Sequence, residues 1–85
     1  MLLQCFRTDE QPYDNRVMGN VIRKLRIKQG LSQEVLSGLS GVARSHLAMI
    51  ESGKKKPSVD TLWKIAGGLG LKLSDLFRMV EKEME

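Results

Sequence analysis

The 85-residue chain contains few of the residue types that carry most protein chemistry. It has one cysteine, Cys5, and one histidine, His46, which argues against an internal disulfide framework, a metal site and most triad chemistries. No apolar run approaches the ~18–20 residues of a membrane span. Residues 1–6 also lack the basic segment and the apolar stretch of a secretory signal. We therefore expect a cytoplasmic protein with no metal and no cofactor.

The composition is otherwise that of an ordinary small folded domain. Hydrophobic residues make up 41% of the chain and charged residues 28%, so disorder throughout is not expected. A chain of this length forms one domain, and only ~60–65% of its unfolded surface becomes buried. The sequence therefore predicts a single domain with a small core.

The charge is concentrated in the middle of the sequence. Residues 16–72 carry eleven basic and three acidic side chains, a net charge of +8, whereas residues 1–15 and residues 73–85 each carry −2. A compact domain with this charge repels itself unless a polyanion is its partner. The pattern favours nucleic acid as the partner, with an anionic membrane surface as the second candidate. The alternative to any partner is a solvated basic face with no ligand.

Apolar residues recur at helical spacing, and no segment shows the alternation of a strand. Capping residues and glycines divide the chain into five helices. The first runs from Asp14 or Asn15 to about residue 29, and the second follows the cap Ser32 to about residue 39. The others run from Arg44 to about residue 52, from the cap Ser58 to about residue 70, and onward from about residue 73. Residues expected to face the core include Leu36, Leu39, Val59, Leu62, Ile65 and Leu76.

Residues 32–52 form a helix, a four-residue turn that contains Gly41, and a second helix, which is the helix-turn-helix pattern. On the second helix Leu47 and Ile50 share the inward arc. The opposite arc carries one long cation, small side chains and a thioether. Such a low face suits a helix that enters a groove about 12 Å wide. The residues of this outer arc are Arg44, Ser45, Ala48, Met49 and Ser52.

Several blocks of the sequence resemble the lambda-repressor-like, Cro-like (XRE) helix-turn-helix family. They are Gly30-Leu31-Ser32-Gln33-Glu34, Leu36, Gly41-Val42, Ile50-Glu51-x-Gly53-Lys54-x-Lys56-Pro57-Ser58 and Leu69-Gly70, and the resemblance covers roughly residues 16–77. It implies an all-α, five-helix lambda-repressor-like domain that binds double-stranded DNA. The predicted organisation is an N-terminal arm (1–13), a DNA-binding domain (14–80) with its helix-turn-helix at 32–52, and a C-terminal helix (73–85) for dimerisation.

The resemblance implies that the third helix contacts base edges through Arg44, Ser45, Ala48 and Met49. Arg44 is suited to donate two hydrogen bonds to guanine, although a phosphate contact or a solvated side chain is the alternative. Met49 replaces a long polar residue of the family, so it either presses on a thymine methyl group or only fills space.

The resemblance also implies a set of phosphate contacts, which would position the protein without reading sequence. Gln33 stands first in the second helix, where the backbone N–H groups favour an anion, and it matches a family phosphate contact that also steadies the third helix. A role as helix cap alone is the alternative for Ser32, a position at the domain edge for His46, and simple solvation for the lysines. The predicted phosphate-contacting residues are Ser32, Gln33, His46, Lys54, Lys55 and Lys56.

Arg26 and Glu51 match a family pair that ties the first helix to the end of the third. The chain also departs from the family at several positions. Ala43 replaces a Ser or Thr cap, Ser37 replaces a small apolar residue, and two glycines weaken the fourth helix. They are Gly67 and Gly68.

The stripe of the fifth helix extends beyond what a four-helix core covers, which predicts a self-complementary dimer surface. The predicted interface residues are Trp63, Leu73, Phe77 and Val80, with Trp63 half covered by its own chain; the alternative is that the two aromatic residues complete the monomer core. Two such copies would place their third helices about 34 Å apart, one turn of duplex.

The sequence therefore predicts a sequence-specific transcriptional regulator, a homodimer that binds a two-fold symmetric operator, with no membrane partner. The alternative is an antitoxin-like or adaptor module whose main partner is another protein. An enzyme is not expected, because the chain offers no paired-carboxylate site, no nucleophile with a base and no phosphate-binding glycine loop.

Overall fold

The computed structural model describes residues 13–85, in which five helices and no strand are found. The predicted all-α, five-helix architecture is confirmed. Most of the predicted arm, residues 1–13, lies outside the described residues. Within residues 13–85 no helix is both long and apolar enough to span a bilayer. The helices are α1 (Asn15–Lys28), α2 (Gln33–Ser40), α3 (Arg44–Glu51), α4 (Val59–Gly68) and α5 (Leu73–Glu83).

The helix boundaries follow from local capping chemistry. The hydroxyl of Ser32 accepts the Val35 N–H at 3.1 Å, and that of Ser58 accepts the Thr61 N–H at 3.1 Å, so α2 and α4 begin where the sequence predicts. Asp14 caps α1 in the same way. After α2 the chain turns through Gly41 with φ 75°, a left-handed conformation that glycine adopts without the cost a Cβ imposes.

The core lies where α1 packs on α3 and α5, and where α2 packs on α3 and α4. Met18, Ile22 and Leu36 are fully buried there, and so are five large side chains of the later helices. These five are Leu47, Ile50, Ile65, Leu76 and Val80.

Three residues are more exposed than the helical periodicity predicts. The expectation that Leu39 and Val59 face the core is wrong: they are 59% and 66% exposed. Trp63, expected to be half covered, is 67% exposed. The helices are short, so each buries only the narrow arc that its neighbours cover. On α2 that arc holds Leu36 and Ser40, and on α4 it holds Leu62, Ile65 and Ala66.

Two glycines allow helices to approach closely. A Cβ on Gly19 would collide with the carbonyl oxygen of Ile50, so α1 lies directly against the end of α3. A Cβ on Gly68 would lie 3.0 Å from Cβ of Ser40 and 3.1 Å from Cδ1 of Leu36. Gly68 therefore lowers the intrinsic helix propensity of α4, but its lack of a Cβ allows α4 to pack closely on α2. The same does not hold for Gly67, whose Cβ position is open.

The apolar stripe of α5 is largely covered within the protomer. Leu76 and Val80 are buried, and Leu73, Phe77 and Met84 pack partly against the core. Val80 is 2% exposed, so its predicted place in a dimer interface is wrong. The packing of α5 against α1 and α4 removes this residue from the surface.

Candidate nucleic-acid interface

The outer face of α3 is open to solvent, whereas its inner face anchors the helix. Leu47 and Ile50 are fully buried. Arg44, Ser45 and Met49 are exposed, and the small Ala48 between them is half-buried. The four predicted base-contacting residues therefore lie on one accessible helix face. We call this surface, Arg44, Ser45, Ala48 and Met49, the α3 face.

A buried ionic network lies behind the α3 face. Nε of Arg26 donates to Oε2 of Glu51 at 2.7 Å and Nη2 donates to Oε1 at 3.0 Å, while Nη1 donates to the Leu31 carbonyl at 2.8 Å. Nε2 of Gln33 also donates to Oε1 of Glu51, at 3.1 Å. The side chain of Glu51 is 2% exposed. One carboxylate thus joins α1, the start of α2 and the end of α3.

The network also affects the protonation equilibrium of Arg26. The hydrogen bonds with Glu51 raise the pKa of the Arg26 guanidinium above its ordinary value. The family resemblance predicted that Arg26 and Glu51 form a pair, and the two side chains do meet. The resemblance also implied that Gln33 contacts phosphate and steadies the third helix, but it did not identify Glu51 as the partner of the Gln33 side chain. The side chain is instead held against α3, and this leaves the N–H groups of the first turn of α2 as the anion-favouring element.

Ser32 and His46 are, like Gln33, less available than the three lysines that are also predicted to contact phosphate. The Ser32 hydroxyl serves as the cap of α2. His46 is half-buried on α3, next to the buried Leu47.

The three lysines after α3 are exposed and form what we call the basic loop, Lys54–Lys56. The loop is hydrogen-bonded to the last turn of α3, because the N–H groups of Lys54 and Lys55 both donate to the Met49 carbonyl, at 3.0 and 3.2 Å. Nδ2 of Asn15 donates to the Gly53 carbonyl at 3.0 Å, which ties the start of α1 to the start of the loop. The loop is thereby held beside the α3 face.

Tyr13 borders the basic loop, a contact that sequence analysis missed. Nζ of Lys56 lies 5.9 Å from the centre of the Tyr13 ring, within the range of a cation–π contact. Partial burial and the neighbouring Asp14 carboxylate raise the pKa of Tyr13 above its ordinary value of 10.0. No pattern in the sequence could have found this contact, because the two residues are brought together only by the packing of α1 on α3.

A second surface, of different chemistry, lies on α4. Val59 and Trp63 are both exposed and stand one helical turn apart. Trp63 also lines a shallow groove with Gly67 and residues 71–74. Leu73 and Phe77 are half-buried nearby on α5. We call Val59, Trp63, Leu73 and Phe77 the Trp63 face; three of these four are predicted interface residues.

Five helices with an accessible third helix, preceded by a glycine turn and followed by a basic loop, define a helix-turn-helix domain. The chain belongs to the helix-turn-helix family HTH_3, whose family model matches residues 22–76.

Relatives of this chain are regulators. Control protein C.MunI of a Mycoplasma species is 44% identical over 66 residues, which cover 76% of this chain and 89% of that protein. The HTH-type transcriptional regulator PuuR of Escherichia coli is 39% identical over 67 residues, 79% of this chain and 36% of PuuR, so the chain spans about a third of that relative. The crystal structure of the restriction-modification controller protein C.AhdI from Aeromonas hydrophila matches with a TM-score of 0.73 at 38% identity, over 75% of this chain and 97% of that one.

Proposed function

We propose that this protein is a sequence-specific DNA-binding transcriptional regulator that acts in the cytoplasm by binding, without catalysis. The observation that carries the proposal is the exposed α3 face, backed by the buried Glu51 network and bordered by the basic loop. Arg44 would read a guanine edge, and Ser45, Ala48 and Met49 would fit beside it in the major groove. The lysines of the basic loop and the first turn of α2 would hold phosphates on either side.

The test is a titration of the purified chain against its own upstream DNA at several salt concentrations. A dimer that engages roughly 6–10 phosphates should lose affinity with a slope of log K against log salt of about −5 to −9. Double substitution of Lys54 and Lys56 by Ala should flatten the slope by about 1 for each phosphate no longer engaged and weaken all sequences alike. Lys64→Ala, on α4, is the single-charge control away from the α3 face. A flat response of the native chain to salt would contradict the proposal.

The Trp63 face supports the second part of the proposal, that the protein binds DNA as a homodimer. An exposed tryptophan with a neighbouring valine on a small domain is typical of a protein contact, since aromatic anchors supply much of the binding energy at interfaces. A two-fold pair through this face would present two α3 faces to successive turns of a two-fold symmetric operator. Without pairing, one domain offers few phosphate contacts.

Trp63 is the only tryptophan of the chain, so its fluorescence reports on this face directly. On dilution we expect the emission to shift to longer wavelength as the dimer dissociates, in step with the mass measured by light scattering. Trp63→Glu should give monomers, whereas Val35→Glu, a comparable change at an exposed apolar residue of α2, should leave the dimer intact. A monomeric native chain at all concentrations would refute the dimer but leave DNA binding to be tested by the salt titration.

Two of the relatives support a narrower regulatory role. C.MunI and C.AhdI, both matched over most of their length, are named as control proteins, and C.AhdI as a controller of restriction-modification. We propose that this chain controls genes of such a system. The test is to select the preferred duplex from random DNA and to locate that sequence in the source genome. Sites only upstream of genes unrelated to DNA modification or cleavage would contradict this narrower role.

A further inference from the structure

The start of α3 lacks the side-chain cap that the other two short helices of the domain have. Ser32 and Ser58 cap α2 and α4, but Ala43 precedes α3 and makes no such hydrogen bond. An uncapped first turn leaves backbone N–H groups without an intrahelical partner and favours fraying. The uncapped turn includes Arg44 and Ser45, which are residues of the α3 face.

The residue before Ala43 is held instead from α2, at both of its backbone polar groups. The Ser37 hydroxyl donates to the Val42 carbonyl at 2.6 Å. The Val42 N–H donates to the Ser40 hydroxyl at 3.3 Å, and that hydroxyl in turn donates to the Leu36 carbonyl at 2.7 Å. We call Ser37, Ser40 and Val42 the Val42 clamp.

The Val42 clamp is packed against the core and against α4. The Val42 side chain is 6% exposed and belongs to the core, and Ser40 is 9% exposed. The close approach of Gly68 packs α4 against Cβ of Ser40. In a helix interior Ser is less favourable than Ala, so the serine at position 37 weakens α2 intrinsically, and its hydrogen bond to Val42 offsets that loss.

We propose that Ser37 and Ser40 are positioning residues, which set the direction of α3 from the α2 side in place of the missing cap and thereby sharpen the preference of the α3 face for its DNA site. The inference rests on the proposed function. Because α3 is only eight residues long, a small change of angle at Val42 displaces Arg44 and Met49 relative to a base edge. Direct base readout requires bidentate geometry and suffers from such a displacement, whereas phosphate binding tolerates it.

The experiment measures affinity of the full chain for two duplexes, the site selected from random DNA by the native protein and a shuffled version of that site. The variants are Ser37→Ala and Ser40→Ala, each expected to lower the ratio of the two affinities by about fivefold, the effect of one ordinary hydrogen bond. The loss should fall mostly on the selected site. Adding a cap with Ala43→Ser should restore at least half of the ratio in the Ser37→Ala background.

A matched control separates positioning from stability. Ile65→Val removes one methylene from the core of α4 and should lower the melting temperature by roughly 4–8 °C, as much as removal of the hydrogen bond does. All measurements are made where circular dichroism shows each variant to be folded. We expect Ile65→Val to leave the affinity ratio unchanged.

Amide hydrogen exchange provides a readout without DNA. Ser37→Ala should speed exchange at Val42 and in the first turn of α3, while Ile65→Val should not do so selectively. An affinity ratio within twofold of the native value for both serine variants, with melting temperatures lowered as in Ile65→Val, would overturn the proposal. Failure of the native chain to select any site would refute the proposed function instead, and the exchange data would then decide whether the clamp holds α3.

Discussion

The α3 face and the Trp63 face both stand on short helices outside the core, but they are held in different ways. Behind the α3 face lie, besides the buried Leu47 and Ile50, several directional contacts: the bidentate pair of Arg26 and Glu51, the amide of Gln33 and the Val42 clamp. The helix that carries Trp63 is held chiefly by apolar packing, with one hydrogen bond from the Gln29 amide to the Leu69 carbonyl at its end. Hydrogen bonds fix an angle, whereas apolar burial fixes mainly that two surfaces stay in contact. The α3 face is therefore held in a defined orientation, whereas the Trp63 face offers chiefly apolar area.

Glu51→Ala is the substitution behind the α3 face that should lower the stability of the protein most. The change leaves the Arg26 guanidinium largely buried without its carboxylate and removes the acceptor of the Gln33 amide. Removing one partner of a buried pair typically costs roughly 3–5 kcal/mol, which is a large part of the stability of a domain this small. The measurement is urea unfolding followed by circular dichroism.

Glu34→Ala is the control for Glu51→Ala, because Glu34 is an exposed acid on α2 and the change in net charge is the same. It should change the free energy of unfolding by no more than about 0.5 kcal/mol. Replacing both partners, as Arg26→Met with Glu51→Leu, should cost less than Glu51→Ala alone. If the double variant is no more stable than Glu51→Ala, the network stabilises the fold by more than the neutralisation of two buried charges by each other.

The next effect concerns the α3 face itself. Arg44→Ala should reduce discrimination at one base pair in each half-site by about 1–3 kcal/mol, because the two hydrogen bonds that we propose between Arg44 and guanine could not form. The measurement is competition between the selected duplex and duplexes with single base-pair changes. Arg23→Ala removes an exposed arginine of α1 and should leave this discrimination unchanged. Equal effects of the two variants would mean that Arg44 acts only through its charge.

The sequence predicts this molecule best where the determining interactions are local. The starts of α2 and α4 follow from Ser32 and Ser58, which act within one turn. Periodicity identifies the buried Leu47 and Ile50 for the same reason. It fails for Leu39 and Val59, whose exposure depends on which neighbouring helix reaches them.

Contacts between helices were predictable only where the resemblance supplied them. The pair of Arg26 and Glu51 was expected on that ground and is present. The close approach at Gly19 was not foreseen, because it depends on how two helices dock. The hydrogen bond from Ser37 to Val42 was not foreseen either, because it depends on the path of the turn between α2 and α3. A glycine inside a helix is ambiguous in sequence, since it signals either weak propensity or close packing.

A smaller effect distinguishes the two sides of α4. Gly67→Ala should stabilise the protein by up to ~1 kcal/mol, because its Cβ position is open and Ala favours the helix. Gly68→Ala gains the same propensity but crowds Ser40 and Leu36, and should be roughly 1 kcal/mol less stable than Gly67→Ala. Thermal unfolding of the two variants at one protein concentration provides the comparison. Equal stabilities would mean that α4 moves away from α2 without cost.

The smallest predicted effect lies at the edge of the basic loop. Tyr13 is the only tyrosine of the chain, so its ionisation can be followed by ultraviolet absorbance without interference from another phenol. Burial and the Asp14 carboxylate raise its pKa in the folded state, so the midpoint should lie above that of the same chain unfolded in urea. A midpoint at or below the unfolded value would contradict the partial burial of the Tyr13 ring and the effect of the Asp14 carboxylate.

The same shift has a consequence for stability, and its sign is fixed. A phenol with a raised pKa binds more protons in the folded state than in the unfolded state once the pH passes the unfolded value near 10, so the free energy of unfolding falls as the pH rises further. Tyr13→Phe cannot ionise and should lack this contribution to the decline. Lysines also titrate in this range, but they are common to both chains, so the difference between the two pH profiles isolates Tyr13. Because the phenol is protonated in both the folded and the unfolded state well below pH 10, the profiles should run parallel below pH ~9 and diverge only at more alkaline pH.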